Sequence, residues 1–158
     1  MSLLGFFQWC EQSGIGEAIR KSAWLFPLIE AIHLLGLGLI GGAVLVVDLR
    51  LLGLGLRRQS VAQVARDAQP WLLGSLMLMI ATGGLLFLSE AIKCYYHTAF
   101  WLKMTSLFLA LVFTFTVQRK VTMADQTRLR PLWGKVVALV SVLLWSGVGI
   151  GGRWIGFS

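Results

Sequence analysis

Four long apolar runs separated by short charged stretches dominate the chain: Trp24 to Val47, Trp71 to Ser89, Thr98 to Val117 and Trp133 to Gly151. A hydrocarbon core about 30 Å thick takes roughly 20 apolar residues in a helix, and each run has about that length. Backbone amides in lipid must pair internally, and runs this long and unbroken predict helices rather than barrel strands. The pattern therefore predicts an all-α fold, an integral membrane four-helix bundle. Pro27 suits a first helical turn, where its absent N–H would have no partner anyway. Asp48 and Arg50 close the first run; Pro70 reads as a breaker ahead of the second, and Gln118, Arg119 and Lys120 close the third.

Ahead of the first run, Leu3, Leu4, Phe6, Phe7 and Trp9 precede a Ser13-Gly14 break and the charged stretch Glu17 to Lys21. An apolar body too short to span predicts an N-terminal amphipathic helix lying in the membrane interface; a docking or disordered tail is the alternative. Residues 1–22 are read as this interfacial segment and 23–158 as the transmembrane domain. Met1 to Ser22 carries its cations late, at Arg20 and Lys21, unlike a cleaved secretory signal, so no cleavage is expected. Gly38 and Gly42 in the first run, and Gly147 and Gly151 in the fourth, have the spacing that lets helix backbones approach closely. Packing within the bundle is the first expectation for both pairs and a homo-oligomer interface the second.

Composition agrees with the pattern: of 158 residues 57% are hydrophobic and only 13% charged, far from the soluble average. The net charge of +7 could point to nucleic acid, but the cations lie in two short connections without aromatic platforms or a nucleic-acid motif. Arg50, Arg57, Arg58 and Arg66 follow the first run, and Arg119, Lys120, Arg128, Arg130 and Lys135 follow the third. By the positive-inside rule these connections are cytoplasmic, which places both termini in the periplasm of a bacterial inner membrane. Trp24, Tyr95, Tyr96, Trp101 and Trp154 then mark the outer interface, and Trp71 and Trp133 the inner one.

Ionisable groups inside spans are costly and mark candidate function. Glu30 and His33 lie one turn apart on one face of the first span. Glu90 ends the second, His97 and Lys103 open the third, and Arg153 ends the fourth, so each span brings at least one such group to the outer half. A purely structural network would pair Glu30 with Lys103, and Glu90 with Arg153 or Lys93. A ligand pocket open to the periplasm is the sharper reading, and three occupants compete. His33 and His97 could ligate b-type haem, with Lys103 and Arg153 on its propionates, although the two histidines differ in depth by about 9 Å at helical rise. Glu30 and His33, with Glu90 or His97, could hold a transition metal. The same pair could relay protons or line a solute path.

Cys10 and Cys94 both fall on the outer side, where an oxidising compartment permits a disulfide; free thiols are an equal alternative. No nucleotide loop, nucleophile elbow or metalloprotease motif is present, so a non-enzymatic protein is expected. Asp48 and Arg50 do not share a helix face and are expected to anchor the inner end of the first span.

The stretches Pro27-Leu-Ile-Glu30-Ala-Ile-His33, Asp48-Leu-Arg50-Leu-Leu-Gly53, Tyr95-Tyr96-His97, Phe100-Trp-Leu-Lys103-Met104 and Gly152-Arg153-Trp154-Ile155-Gly156-Phe157 together resemble an uncharacterised bacterial family of four-span inner-membrane proteins, a domain of unknown function. The resemblance covers nearly the whole chain and implies the four-helix fold. It makes Glu30, His33, Asp48, Arg50, Lys103 and Arg153 the motif-bearing positions and implies no activity. The Phe-x-x-Lys pattern is also similar to copper-resistance membrane proteins of the D type, whose further metal-binding residues are absent. The leading expectation is a membrane module with a polar pocket around His33 that binds b-type haem within a membrane redox complex. The second is a small transporter, a proton-relay protein or a structural subunit of a membrane complex. The lipid bilayer is the expected partner, with a homo-oligomer as a further one and nucleic acid excluded.

Overall fold

The structure, a computed structural model, describes residues 2–125, 127–128 and 130–157; Met1 and Ser158, at the outer bounds of the two expected segments, lie outside them. The described residues form α1 (Leu3–Glu11), α2 (Gly14–Lys21), α3 (Leu25–Leu52), α4 (Val61–Ser89), α5 (Ala91–Tyr96), α6 (Thr98–Phe113), a π-helical turn (Thr114–Gln118), α7 (Arg119–Met123) and α8 (Pro131–Gly156). Four stretches are long and apolar enough to cross a membrane: Leu25–Leu52, Val61–Ser89, Thr98–Met123 and Pro131–Ile155. In their most apolar windows only 33, 22, 11 and 33% of residues are buried within the protein. Most of that apolar surface therefore faces outward, which is what a lipid solvent requires, and the chain is a multi-pass membrane protein.

Local chemistry sets the ends. Pro27 stands in the first turn of α3, and Gly53 ends that helix in the left-handed conformation (φ 76°), its N–H bonding Arg50 O while Leu54 N–H reaches Leu49 O. Ser60 caps α4 by accepting from Gln63 N–H. Pro70 does not open the second span as expected: α4 begins at Val61 and continues through the proline. The missing N–H removes one hydrogen bond, and packed neighbours in a membrane bundle make such an interruption tolerable. Pro131 takes the first position of α8.

α3 packs along α4 and α8, and α8 along α6, while α7 returns the third span to α4. Between these helices lies an apolar layer of Ile40, Val44, Met79, Ala110, Trp145 and Val148. A second layer, Val47, Leu51, Val61, Val64, Val121, Val137 and Ala138, lies toward the basic connections. At the opposite end, where the termini are, Phe7 of α1 enters a cluster with Phe87, Tyr95 and Phe100, at ring-centroid distances of 5.1, 5.2 and 6.4 Å. Ser13 caps α2 at the expected break. Arg20 of α2 donates to Ser89 O (2.7 Å) and Glu11 O (2.9 Å), and the Glu11 carboxylate accepts from Ile92 N–H. The N-terminal helices thus bind the bundle on one face, while Leu3, Phe6, Trp9 and Ile15 remain exposed.

The two glycine pairs behave differently. A Cβ on Gly147 would meet Ser106 Oγ at 3.0 Å, and one on Gly151 would meet Lys103 Cβ at 3.2 Å, so this pair does allow α8 to lie close against α6. Gly38 and Gly42 have nothing within 4 Å of such a carbon; they line an open groove instead of an intrabundle contact.

Candidate functional site

The end of the bundle that carries the termini holds a cavity of about 210 Å³. Glu30 and His33 from α3, Glu90 at the end of α4, Cys94 from α5 and Lys103 from α6 all line it. His33 is buried between helices. Its Nδ1 lies 2.9 Å from Thr82 Oγ1 and its Nε2 3.2 Å from Lys103 Nζ. Hydrogen bonding fixes the roles: Thr82 gives its one hydroxyl proton to Leu78 O at 2.7 Å, so toward His33 it accepts, and Nδ1 carries a hydrogen. A neutral ring then has its lone pair on Nε2, ready to accept from the Lys103 ammonium. Adding a proton to Nε2 would set two donors against each other, so the pair carries one positive charge between two bases.

Glycines make the space for this contact. A Cβ on Gly83 would lie 3.1 Å from His33 Cε1, and one on Gly152 would lie 3.4 Å from Lys103 Nζ. The sequence singled out glycine pairs of the first and fourth spans for packing but had no signal for this sleeve of Gly83 and Gly152, since nothing in the chain tells which glycine faces which side chain.

Expected pairings redistribute. Lys103 meets His33, not Glu30, and among the described residues no carboxylate lies within ion-pair distance of it. Glu90 pairs with Lys93 at 3.5 Å, one of its two expected partners. Arg153 is exposed and stacks over the Phe157 ring at 5.0 Å. His97 precedes α6 and lines a separate surface depression with Tyr96, Leu102 and Trp154. The four residues weighed as haem contacts, His33, His97, Lys103 and Arg153, are therefore divided: the first and third touch, the other two line other surfaces. Glu30 and His33 share the cavity, but among the described residues no three His, Cys, Asp or Glu side chains converge as a metal-binding group would.

The Cys10–Cys94 disulfide is not formed. Both are free thiols, packed in one aromatic cluster at this end. Burial, with Glu90 close by, raises the Cys94 thiol to about 11. Only the thiolate is nucleophilic, so at pH 8 about one part in a thousand of Cys94 is reactive. In a Cys10→Ser background, maleimide labelling of Cys94 should rise about tenfold per pH unit between pH 8 and 10; a rate that levels off by pH 9 would contradict this environment.

No curated protein and no solved structure matches the chain, and the similarity to copper-resistance proteins finds no support. A family model matches residues 6–158, nearly the full length. Four apolar helices fit such a membrane family, and by that match the chain belongs to the Family of unknown function (DUF6644).

Proposed function

We propose that this protein carries protons across the inner membrane, with both termini in the periplasm and its cavity loaded from that side. The carrying observation is the contact between Lys103 Nζ and His33 Nε2 at 3.2 Å, which makes two bases compete for one proton beside the Glu30 carboxylate. Orientation follows from the basic connections after the first and third spans. Ile40, Val44, Met79, Ala110, Trp145 and Val148 close the path toward the opposite face. A proton taken up at the cavity cannot cross that layer without movement of the spans, which is the behaviour of a gated proton carrier rather than an open channel.

Haem and metal binding have less support. Both nitrogens of His33 are already engaged, and a cavity of about 210 Å³ is smaller than the roughly 300–1,000 Å³ of pockets for drug-sized ligands.

Purified protein in liposomes with an imposed pH gradient tests the proposal. The wild type should dissipate the gradient faster than empty vesicles, and Lys103→Met and His33→Phe should each return the rate to that of empty vesicles. Wild-type rates equal to empty vesicles, or unaffected variants that remain folded, would remove the reading.

A further inference from the structure

At the other end of the bundle lies a polar cluster outside the cavity. Asp48 of α3 is completely buried, with an exposure of 0%. Its Oδ1 accepts from Gln118 Nε2 at 2.7 Å, and the same amide nitrogen lies 3.4 Å from Ser141 Oγ on α8. Oδ2 is buried with no hydrogen-bond partner among the described residues. Gln118 and Ser141 are themselves buried.

The backbone is reshaped to make this contact. Buried positions of the third span recur at Ala110, Thr114, Gln118 and Thr122, a spacing of four at which a regular α-helix would rotate away by about 40° per step. The π turn Thr114–Gln118, in which Arg119 N–H reaches back to Thr114 O, offsets that drift and keeps Gln118 directed inward. Such turns often occur at functional sites. A cavity of about 60 Å³ between α3, α4 and the third span is lined by Thr114, Gln118, Arg119 and Thr122 and has room for a few waters.

No cation side chain neutralises Asp48. On its own helix Arg50 directs Nε to Gln59 O at 2.8 Å. The other charged groups of the packed elements at this end are Arg66 and Asp67 on α4, Arg119 and Lys120 on α7 and Lys135 on α8; among the described residues none forms an ion pair with Asp48. A buried carboxylate without a counter-ion is strongly unfavourable, and a proton on the orphaned oxygen removes the charge.

We infer that Asp48 is a proton-binding site of this protein, holding an exchangeable proton on Oδ2; Asp48 does not itself line the cavity, and Gln118, which both bonds Asp48 and lines the cavity, is the link through which that proton reaches water. Release leaves the O–H bonding pair on Oδ2 and passes the proton to water; uptake reverses both changes. Gln118 positions the carboxyl through Oδ1 and stabilises the ionised form by donating to it. An alkali cation is disfavoured because Gln118 presents a donor, not an oxygen, to the carboxyl. The inference stands without the His33–Lys103 reading, because the two sites lie on opposite sides of the apolar layer.

Infrared difference spectroscopy of the full chain in lipid nanodiscs tests it. At pH 7 in potassium-free, sodium-free buffer the wild type should show a protonated-carboxyl C=O band, sensitive to deuterium exchange, that is lost in Asp48→Asn and kept in Lys103→Met. Should Asp48→Asn fail to fold, Gln118→Leu serves: removing the donor to the ionised form should raise the pH at which the band disappears by on the order of one unit. Absence of the band in the wild type, its persistence in folded Asp48→Asn, or a Gln118→Leu transition at or below the wild-type pH would overturn the inference. Loss of the wild-type band on adding sodium at constant pH would overturn it too, in favour of a cation site.

Discussion

Gly16→Val should lift the N-terminal helices off the bundle. A Cβ at Gly16 would overlap Leu88 O and stand 2.9 Å from Leu88 C, both backbone atoms at the end of α4 that cannot rotate aside. α2 would have to move away, and its movement would break the Arg20 bond to Ser89 O and withdraw Phe7 from its aromatic cluster. Overpacking of this kind costs about 1–3 kcal/mol, and here it acts on one docked unit rather than on the spans. The sensitive readout is Cys10, only 4% exposed in the native fold: its maleimide labelling should increase strongly in Gly16→Val. Gly14→Ala, where an added carbon meets nothing within 4 Å, should label like the wild type. Equal labelling of Cys10 in Gly16→Val and wild type would show that the helices are not held as described.

How much of this was legible beforehand follows from the physics of each signal. The spans were legible because bilayer thickness forces each to be a long apolar run, and the break at Ser13-Gly14 because Ser is a strong cap. Pro70 misled because a proline signals a helix start only when nothing upstream keeps the ladder going, and Val61 to Gln69 does keep it going. Which face of the N-terminal segment packs on the bundle could not be read either, since Phe7 and Phe6 are neighbours in sequence and only the fold decides which one is buried.

The candidate site divides along the same line. Glu30 and His33 were brought together by helical periodicity alone, and depth placed Lys103 near them. Partner choice was not legible: charge complementarity favoured Glu30 for Lys103, whereas packing around Gly83, Gly151 and Gly152 brings Lys103 to His33. Asp48 carried a detectable signal, an acid at the edge of an apolar run, but was read as a boundary anchor because the run was ended there; α3 continues to Leu52 and takes it inside. Its link to Gln118 depends on a π turn that leaves no mark in the spacing of apolar residues.

The two small-residue pairs give the sharpest contrast in stability. Gly151→Leu should lower the Tm in detergent by the largest margin of any single glycine change in the spans, because the new side chain would begin 3.2–3.3 Å from Lys103 Cβ, Cα and N. None of the three can yield by side-chain rotation, since the Cα and N belong to the backbone of α6 and the Cβ is fixed to it, so α6 and α8 must separate. A loss of about 1–3 kcal/mol, occasionally more, is the ordinary result of forcing bulk into such a contact. Separation would also draw Lys103 from His33, so the variant should lose gradient dissipation together with stability. Gly38→Leu and Gly42→Leu supply the control, since their added carbons enter open space and a leucine there gains helix propensity over glycine by up to about 1 kcal/mol. Their Tm should equal or exceed that of the wild type. If Gly42→Leu proved as damaging as Gly151→Leu, the face of α3 that carries Gly38 and Gly42 would be a packed surface, and the bundle described here would be missing a contact.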